Sequence, residues 1–202
     1  MNRRLAHWTS VVLHPVLMPT YALWILLNYN TYLKYTTTAI EQLVLFAIVI
    51  VNNLLAPLII TYILIRRGWI RSFEMDTKEE RLIPFAANAA LLLTSYYLME
   101  QLLLPKVYSL LLLGAAVSVV LAILINLKWK ISIHMIGIGG MTGILFGLST
   151  FLFVDLRMPV IFCLLTAGVL GTARLTLDAH TPAQLYAGFG VGFASEFLLL
   201  AL

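Results

Sequence analysis

Three side chains with catalytic potential lie near the ends of long hydrophobic segments of this chain. They are His134, Arg174 and His180. A guanidinium group can hold two phosphate oxygens at once, and an imidazole can attack phosphorus or donate a proton to a departing oxygen. Ionisable side chains at membrane depth are costly, so they are candidates for function by default. Residues of these types suit a site that binds and processes an anionic group such as a phosphate.

A charged stretch from Arg66 to Arg81 adds further candidates. Phosphoryl transfer without a metal needs cations that hold the phosphate oxygens. Lys78 offers a compact charge for this purpose, and Arg81 offers a planar fork. The alternative is that Lys78, together with Glu79 and Glu80, forms a solvated run of charges.

The segments that position these residues have the properties of transmembrane helices. Hydrophobic residues make up 61% of the 202-residue chain and charged residues 11%, and the mean hydropathy is +0.96. About 20 apolar residues suffice for a helix to cross a bilayer. We predict an all-α, polytopic transmembrane helix bundle of six or seven spans that forms a single domain over residues 1–202. The seven candidate segments are 9–27, 43–65, 82–104, 107–127, 131–154, 158–177 and 182–202.

Loops between consecutive spans alternate between the membrane faces, and this alternation places all the candidate residues on one face. That face carries ten of the 13 Lys and Arg residues, and the other face carries Lys34, Lys106 and Arg157. By the positive-inside rule the candidate face is cytoplasmic. We therefore expect an integral protein of a prokaryotic cytoplasmic membrane. The net charge of +4 is explained by this topology and by anionic lipid headgroups, so no nucleic-acid partner is predicted.

Glycines at intervals of four residues predict close contacts between helices, because small residues let two backbones approach. They lie in the fifth and seventh candidate spans, at Gly139, Gly143, Gly147, Gly188 and Gly192.

One part of the chain resembles a known family. The stretch from Ala173 to Gly188 contains an Arg, a His six residues later and the start of a glycine-rich span. It is similar to the third motif of the type 2 phosphatidic acid phosphatase superfamily. The second motif of that family ends in a histidine at the start of a span, and residues 131–134, ISIH, resemble it through Ser132 and His134.

Residues 76–84, DTKEERLIP, resemble the first motif of the family, with its Lys, Arg and Pro at shorter spacing. The chain also departs from the pattern elsewhere. Ile131 and Ile133 stand where the second motif has Pro and Gly, and Gln184 stands where the third motif has an acid.

The resemblance implies a division of labour between the two histidines. His180 would attack phosphorus to form a phosphohistidine, and His134 would protonate the departing alkoxide and later activate water. The phosphate group would be bound by Lys78, Arg81, Ser132 and Arg174. In the family an acid orients the nucleophile, a position that either Gln184 or Asp178 would take here.

What the family implies is an integral membrane lipid phosphatase that uses neither a metal nor an organic cofactor. Its substrate would be a lipid phosphate monoester or a lipid or prenyl diphosphate, such as phosphatidate, phosphatidylglycerol phosphate or a prenyl diphosphate. The alternatives are a lipid phosphotransferase, a non-catalytic lipid-binding member of the same fold, and a transporter. The oligomeric state is left open.

Each site residue also has a structural interpretation. Arg174 and His180 could extend toward lipid headgroups, and His134 could donate a hydrogen bond to a carbonyl of a neighbouring helix. His14, which precedes Pro15, is interpreted as structural. Asn53 in the second span could line a substrate groove or join two helices by a hydrogen bond.

Overall fold

The structure is a computed structural model, and it describes residues 1–73, 75 and 77–201, without the side chain of Lys78. The secondary structure of these residues is helical and includes no strand. The helices are α1 Arg3–Val12, α2 Met18–Asn28, α3 Tyr32–Tyr35, α4 Ala39–Ile48, α5 Ala56–Arg66, α6 Lys78–Glu100, α7 Val107–Asn126, α8 Ile133–Phe151, α9 Arg157–Thr176 and α10 Pro182–Ala201. A 3-10 turn, Pro15–Leu17, precedes α2, and a π-helical stretch, Val49–Leu55, joins α4 to α5.

Seven segments of the described chain are long and apolar enough to cross a membrane. The first joins α1 to α2, the second joins α4 to α5, and each of the others is formed by one helix from α6 to α10. The predicted all-α transmembrane bundle is therefore confirmed, and the chain is an integral membrane protein. The segments are Arg3–Asn28, Ala39–Arg66, Glu79–Glu100, Val107–Asn126, Ile133–Phe151, Arg157–Thr176 and Pro182–Ala201.

Three span boundaries differ from the prediction by four residues or more. The second span begins at Ala39 rather than at residue 43. The first span begins at Arg3 and breaks at His14, whose backbone is extended because a following proline disfavours the helical conformation. The third span ends at Glu100 rather than at residue 104. Leu103 adopts a left-handed conformation with φ of 54°, which an α-helix does not accommodate.

Helices α8 and α10 run in the same direction and touch backbone to backbone. A β-carbon at Gly139 would overlap the carbonyl of Phe189, and one at Gly192 would overlap the carbonyl of Ile136. The predicted glycine contact is thus confirmed. It fixes the two helices whose N-terminal ends lie beside His134 and His180.

We expect Gly192→Ala to destabilise the protein, because the added methyl group meets backbone atoms that cannot move aside. Overpacking of this kind costs about 1–3 kcal/mol. Gly190→Ala is the matched control, since nothing lies within 4 Å of its β-carbon position and alanine favours a helix over glycine. Thermal unfolding in detergent should show a lower midpoint for Gly192→Ala only. Equal midpoints for the two variants would contradict the contact.

Candidate functional site

A cavity of about 580 Å³ extends into the bundle from the end that carries the loop between α9 and α10. This volume is typical of small-molecule sites. The cavity unites side chains from several spans. At its outer end the ionisable lining residues include His14, Arg81, Lys130, His134, Arg174 and His180. The structure therefore brings together His134, Arg174, His180 and Arg81, as the sequence predicts.

A sharp reversal after α9 carries His180 back to the cavity. The Ala179 N–H donates to the Arg174 carbonyl at 3.1 Å, and the Asp178 N–H donates to the Leu175 carbonyl at 2.9 Å. This pair of hydrogen bonds is the Schellman arrangement, which needs a left-handed residue after the helix. Asp178 supplies it with φ of 54°, a conformation that aspartate tolerates better than most residues.

Gln184 orients His180. The Thr181 N–H donates to Gln184 Oε1 at 3.1 Å, so this side-chain atom is the oxygen and acts as an acceptor. Nδ1 of His180 lies 3.1 Å from the same oxygen and must therefore donate a proton to it. The tautomer that results leaves the lone pair on Nε2, the ring nitrogen that can attack an electrophile.

The same glutamine also caps α10. The Gln184 N–H donates to Oγ1 of Thr181 at 3.4 Å, which completes a reciprocal capping box with the Thr181 N–H bond. The orientation of His180 is thus coupled to the start of a transmembrane helix. Asp178, the other predicted orienting residue, does not take this role, because its carboxylate pairs with Arg3 at 3.0 Å.

The imidazole of His180 is neutral at physiological pH. Burial lowers the pKa of His180 to about 4, the hydrogen bond with Gln184 opposes this shift, and the positive charges of Arg174, Lys130 and Arg81 reinforce it. The folded state therefore binds fewer protons at His180 than the unfolded state between pH 6.5 and pH 4, so this group lowers stability as pH falls through that window. Above it, His180 retains the lone pair that a nucleophile needs.

Arg174 contributes a guanidinium group to the cavity lining. It is half-buried, and its Nε is buried without a hydrogen-bond partner among the described residues. The guanidinium of Arg81 is more deeply buried, at 7% exposure, and its Nε donates to the Met75 carbonyl at 2.8 Å. With Lys130, which also lines the cavity, these groups form a positively charged outer end suited to a phosphate.

His134 lies against the first span. Its Nε2 is 3.1 Å from the Ser10 carbonyl, so this nitrogen donates. Nδ1 is then a buried acceptor that has no partner in the described part of the chain. The hydrogen bond to a neighbouring carbonyl that the structural interpretation predicts is therefore present. His134 also lines the cavity. Its expected role as a proton donor requires this access to the cavity.

A second imidazole stands beside His134. The rings of His14 and His134 are 5.3 Å apart between centroids and nearly perpendicular. Nδ1 of His14 accepts a hydrogen bond from the Val16 N–H at 3.3 Å, so its proton is on Nε2. His14 lines the cavity, which makes it more than the structural residue that the adjoining proline suggests.

Ser132 is not brought to the site. Its side chain is fully buried, it does not border the cavity, and its backbone carbonyl packs against Gly188. The predicted contact of its hydroxyl with phosphate is therefore not retained. Lys78 begins α6, but its side chain, like the whole of Asp76, lies outside the described residues.

Sequence reasoning missed several polar lining residues, among them His14, Lys130 and Glu196. A signal existed for each. Lys130 is four residues before His134, His14 is a histidine inside an apolar span, and Glu196 is a carboxyl group in the last span. Ionisable residues of this kind within spans are functional candidates whatever their neighbours in sequence.

Comparisons of the chain with protein-family models, with curated proteins and with solved structures find no match. Within the described residues, no group of three or more His, Cys, Asp or Glu side chains is placed to hold a metal ion. The function must therefore be argued from the cavity itself.

We expect the pKa of His180 to depend on which residue at position 184 accepts its Nδ1 hydrogen bond. Gln184→Glu keeps the length of the side chain, and a carboxylate stabilises an imidazolium, so the pKa should rise well above 4. Gln184→Asp, which the sequence suggests, shortens the side chain and should raise the pKa less. NMR titration of labelled histidine, assigned with His180→Ala, measures this directly. A wild-type midpoint near 6.5 would contradict the burial of the ring.

Proposed function

We propose that the protein is a membrane lipid phosphatase of the kind that the type 2 phosphatidic acid phosphatase resemblance implies. One observation supports this most strongly. The half-buried guanidinium of Arg174, with its unsatisfied Nε, lines the same cavity as His180, whose Nε2 carries a free lone pair. Arg174 forms no salt bridge within the part of the chain that the structure describes. Such a cation beside a neutral nucleophile suits an anionic electrophile such as a phosphate ester.

The reaction proceeds in two steps. Nε2 of His180 donates its lone pair to phosphorus, the bond from phosphorus to the lipid oxygen breaks, and that oxygen leaves with the bonding electrons and takes up a proton. Water then attacks the phosphohistidine, the phosphorus–nitrogen bond breaks, and inorganic phosphate is released. Arg174, Arg81 and Lys130 stabilise the charge on the phosphate oxygens in both steps. The side chain of Lys78 remains a proposed contributor.

The proton for the leaving oxygen comes from an imidazole beside the cavity. His134 has this role in the resemblance, and its place on the cavity lining supports it. Its Nε2 proton stays on the Ser10 carbonyl, so the proton that is transferred is one bound at Nδ1, an atom without a hydrogen-bond partner among the described residues. His134 therefore acts as an imidazolium that gives its Nδ1 proton to the leaving oxygen and returns to the neutral ring. Nδ1 of His14 accepts from the Val16 N–H and cannot hold a second proton while that bond is kept, so His14 is not assigned this step.

The remaining volume of the cavity accepts the lipid tail. Its inner walls include apolar residues from the first span, α6 and α7, such as Met18, Ala22, Leu92 and Leu111. A lipid phosphate has one charged end and one apolar end, and the cavity has the same division. The cations near the site also favour the cytoplasmic face of a prokaryotic membrane as the location of the site.

Three other functions remain as proposals to be tested against this one. A phosphotransferase would use the same first step and pass the phosphoryl group to an acceptor other than water. A non-catalytic lipid-binding protein would keep the cations, and Gln184 in the place of an acid is its best support. A transporter receives no specific support from the contacts of the described residues.

Phosphate release from purified protein tests the proposal. The panel consists of phosphatidate, phosphatidylglycerol phosphate and a prenyl diphosphate in detergent, each with and without a chelator. We expect release from at least one lipid at a rate that the chelator does not change. Activity lost on chelation and restored by a divalent metal would overturn the metal-free mechanism. Binding without release would favour the non-catalytic function, and release only when an alcohol acceptor is added would favour the phosphotransferase.

A further inference from the structure

The inner end of the cavity holds three buried polar atoms that have no hydrogen-bond partner among the described residues. They are Nδ2 of Asn53, Oγ of Ser118 and Oε2 of Glu196, and all three residues line the cavity. Their exposures are 2%, 3% and 2%. Buried polar groups in folded proteins are nearly always hydrogen-bonded. Three unsatisfied polar atoms, which three different spans contribute to the lining of one cavity, indicate a binding site.

Contacts between helices hold these groups in place. The carboxyl group of Glu196, on α10, lies so close to Gly114 of α7 that a β-carbon at Gly114 would overlap it. Ser118 lies one helical turn further along α7 on the same side as Gly114. Oδ1 of Asn53 accepts a hydrogen bond from Oγ of Ser95 at 3.3 Å, and the Nδ2 protons of Asn53 have no acceptor within the described residues. We name Asn53, Ser118 and Glu196 the inner polar subsite.

The inner polar subsite lies deeper in the membrane than the phosphate end. A β-carbon at Gly140 would lie 3.4 Å from Cγ of Glu196, so these residues are at one level. Gly140 follows His134 by six residues of α8, which corresponds to about 9 Å along a helix. A ligand whose phosphate contacts His180 would therefore meet the subsite with atoms only several bonds away from phosphorus.

The chemistry of the subsite favours a ligand that accepts hydrogen bonds. The salt bridges among the described residues do not include Glu196, and Arg81, Lys130 and Arg174 belong to the outer end. A carboxyl group at this depth without a cation keeps its proton, because a buried unpaired charge is very costly. The subsite then offers three kinds of donor: an amide N–H, a hydroxyl and a carboxylic acid O–H.

We propose that the inner polar subsite binds the ester carbonyl oxygens of an acylglycerol phosphate while the phosphate lies against Arg174 and His180. Ester carbonyls are strong acceptors and lie several bonds from the phosphate in such a lipid. A prenyl chain has no acceptor there and would leave all three donors unsatisfied, which is unfavourable. The substrate is therefore an ester-linked glycerolipid and not a prenyl diphosphate. This inference rests on the proposed function, whose substrate class it names.

Binding of a matched pair of lipids tests the subsite. Dioleoyl phosphatidate and its dioleyl ether analogue share the headgroup and chain length, and only the first has carbonyl oxygens. Their dissociation constants are measured in detergent with His180→Ala protein, which cannot turn them over. Each hydrogen bond contributes about 3- to 10-fold in affinity, so we expect the ester to bind at least about 10-fold more tightly. Equal affinities would overturn the proposal.

Variants of the subsite must remove this preference. Ser118→Ala and Asn53→Leu should each reduce the ester preference by about 3- to 10-fold, through weaker binding of the ester and without weaker binding of the ether. Ser195→Ala is the matched control, since Oγ of Ser195 donates to the Val191 carbonyl of its own helix and does not line the cavity. A preference that persists in both subsite variants, or that Ser195→Ala abolishes equally, would refute the assignment.

Glu196 provides a second, independent measurement. Glu196→Gln keeps a donor of nearly the same shape and should retain the preference, whereas Glu196→Leu should lose it. Loss of the preference in both variants would contradict a neutral carboxylic acid. Failure of the proposed function is separable from failure of the subsite. An ester preference in binding with no phosphate release from any lipid overturns only the phosphatase, and release from both lipids with equal affinities overturns only the subsite.

Discussion

His180→Ala is expected to lower the rate of phosphate release by about 10⁴-fold or more, since the nucleophile of a covalent mechanism has no substitute within the site. Phosphorus-labelled lipid should leave a label on wild-type protein that is lost in acid and stable in base, as a phosphohistidine is. The variant should carry no such label. The measurement combines single-turnover kinetics with acid and base treatment of the trapped protein.

The control for this variant is His7→Ala. His7 also borders the cavity, but its ring contacts Trp8 and it has no part in the proposed chemistry. We expect His7→Ala to retain phosphate release within about a factor of two of wild type. A His180→Ala protein that turns over at a near-normal rate, or a label that survives acid, would show that another residue attacks phosphorus.

Arg174→Leu is expected to lower kcat by about 10²- to 10³-fold, the loss that follows when one stabiliser of transition-state charge is removed. Arg174→Lys keeps the charge and loses the paired N–H donors, so a loss of about 10- to 100-fold is expected. If Arg174 only extended toward headgroups, as its structural interpretation holds, the lysine variant would be as active as wild type. Steady-state kinetics on one lipid distinguishes these outcomes.

Arg157→Lys is the matched control for the arginine series. Arg157 is exposed and makes two hydrogen bonds with Asp155 at 2.9 Å, away from the cavity lining. This ion pair lowers the pKa of Asp155 to about 2. An exposed pair contributes little to stability, so the rate should not change. A comparable loss of activity in both lysine variants would mean that the effect at Arg174 is not specific to the site.

The architecture was accessible from sequence because the bilayer imposes it. Every backbone polar group in a membrane must be satisfied internally, and a run of about 20 apolar residues can therefore only be a helix. The positions where helices end or are interrupted were harder to predict from the sequence. The interruption at His14 follows from Pro15. The end of α6 at Glu100 is followed by a left-handed backbone at Leu103, and no pattern of apolar residues predicts that conformation.

The partner of His180 shows which part of a site the sequence can predict. Spacing places Gln184 one helical turn after His180, and the hydrogen bond between them follows. Spacing cannot show that Asp178, only two residues away, points elsewhere. Its left-handed backbone conformation turns the carboxylate toward Arg3 at the opposite end of the sequence.

Contacts between residues of distant spans could not be predicted, for a different reason. The ring of His14 meets that of His134 only because the first span packs beside α8 and α9, and no local pattern encodes that contact. Ser132 shows the converse. It resembles a motif residue in sequence, but its side chain is buried and does not border the cavity.

The backbone contact between α8 and α10 restricts how this cavity can change in evolution. Gly139, Gly143, Gly188 and Gly192 leave no room for a β-carbon between the two helices, so no single substitution can adjust their separation by a small amount. The apolar side chains that the first three spans contribute to the cavity, such as Met18, Leu58 and Leu92, can be exchanged one at a time. We therefore expect related proteins to differ in the lipid tail that they accept through substitutions in the first three spans. Helices α8 and α10, which carry His134 and Glu196, should keep their separation.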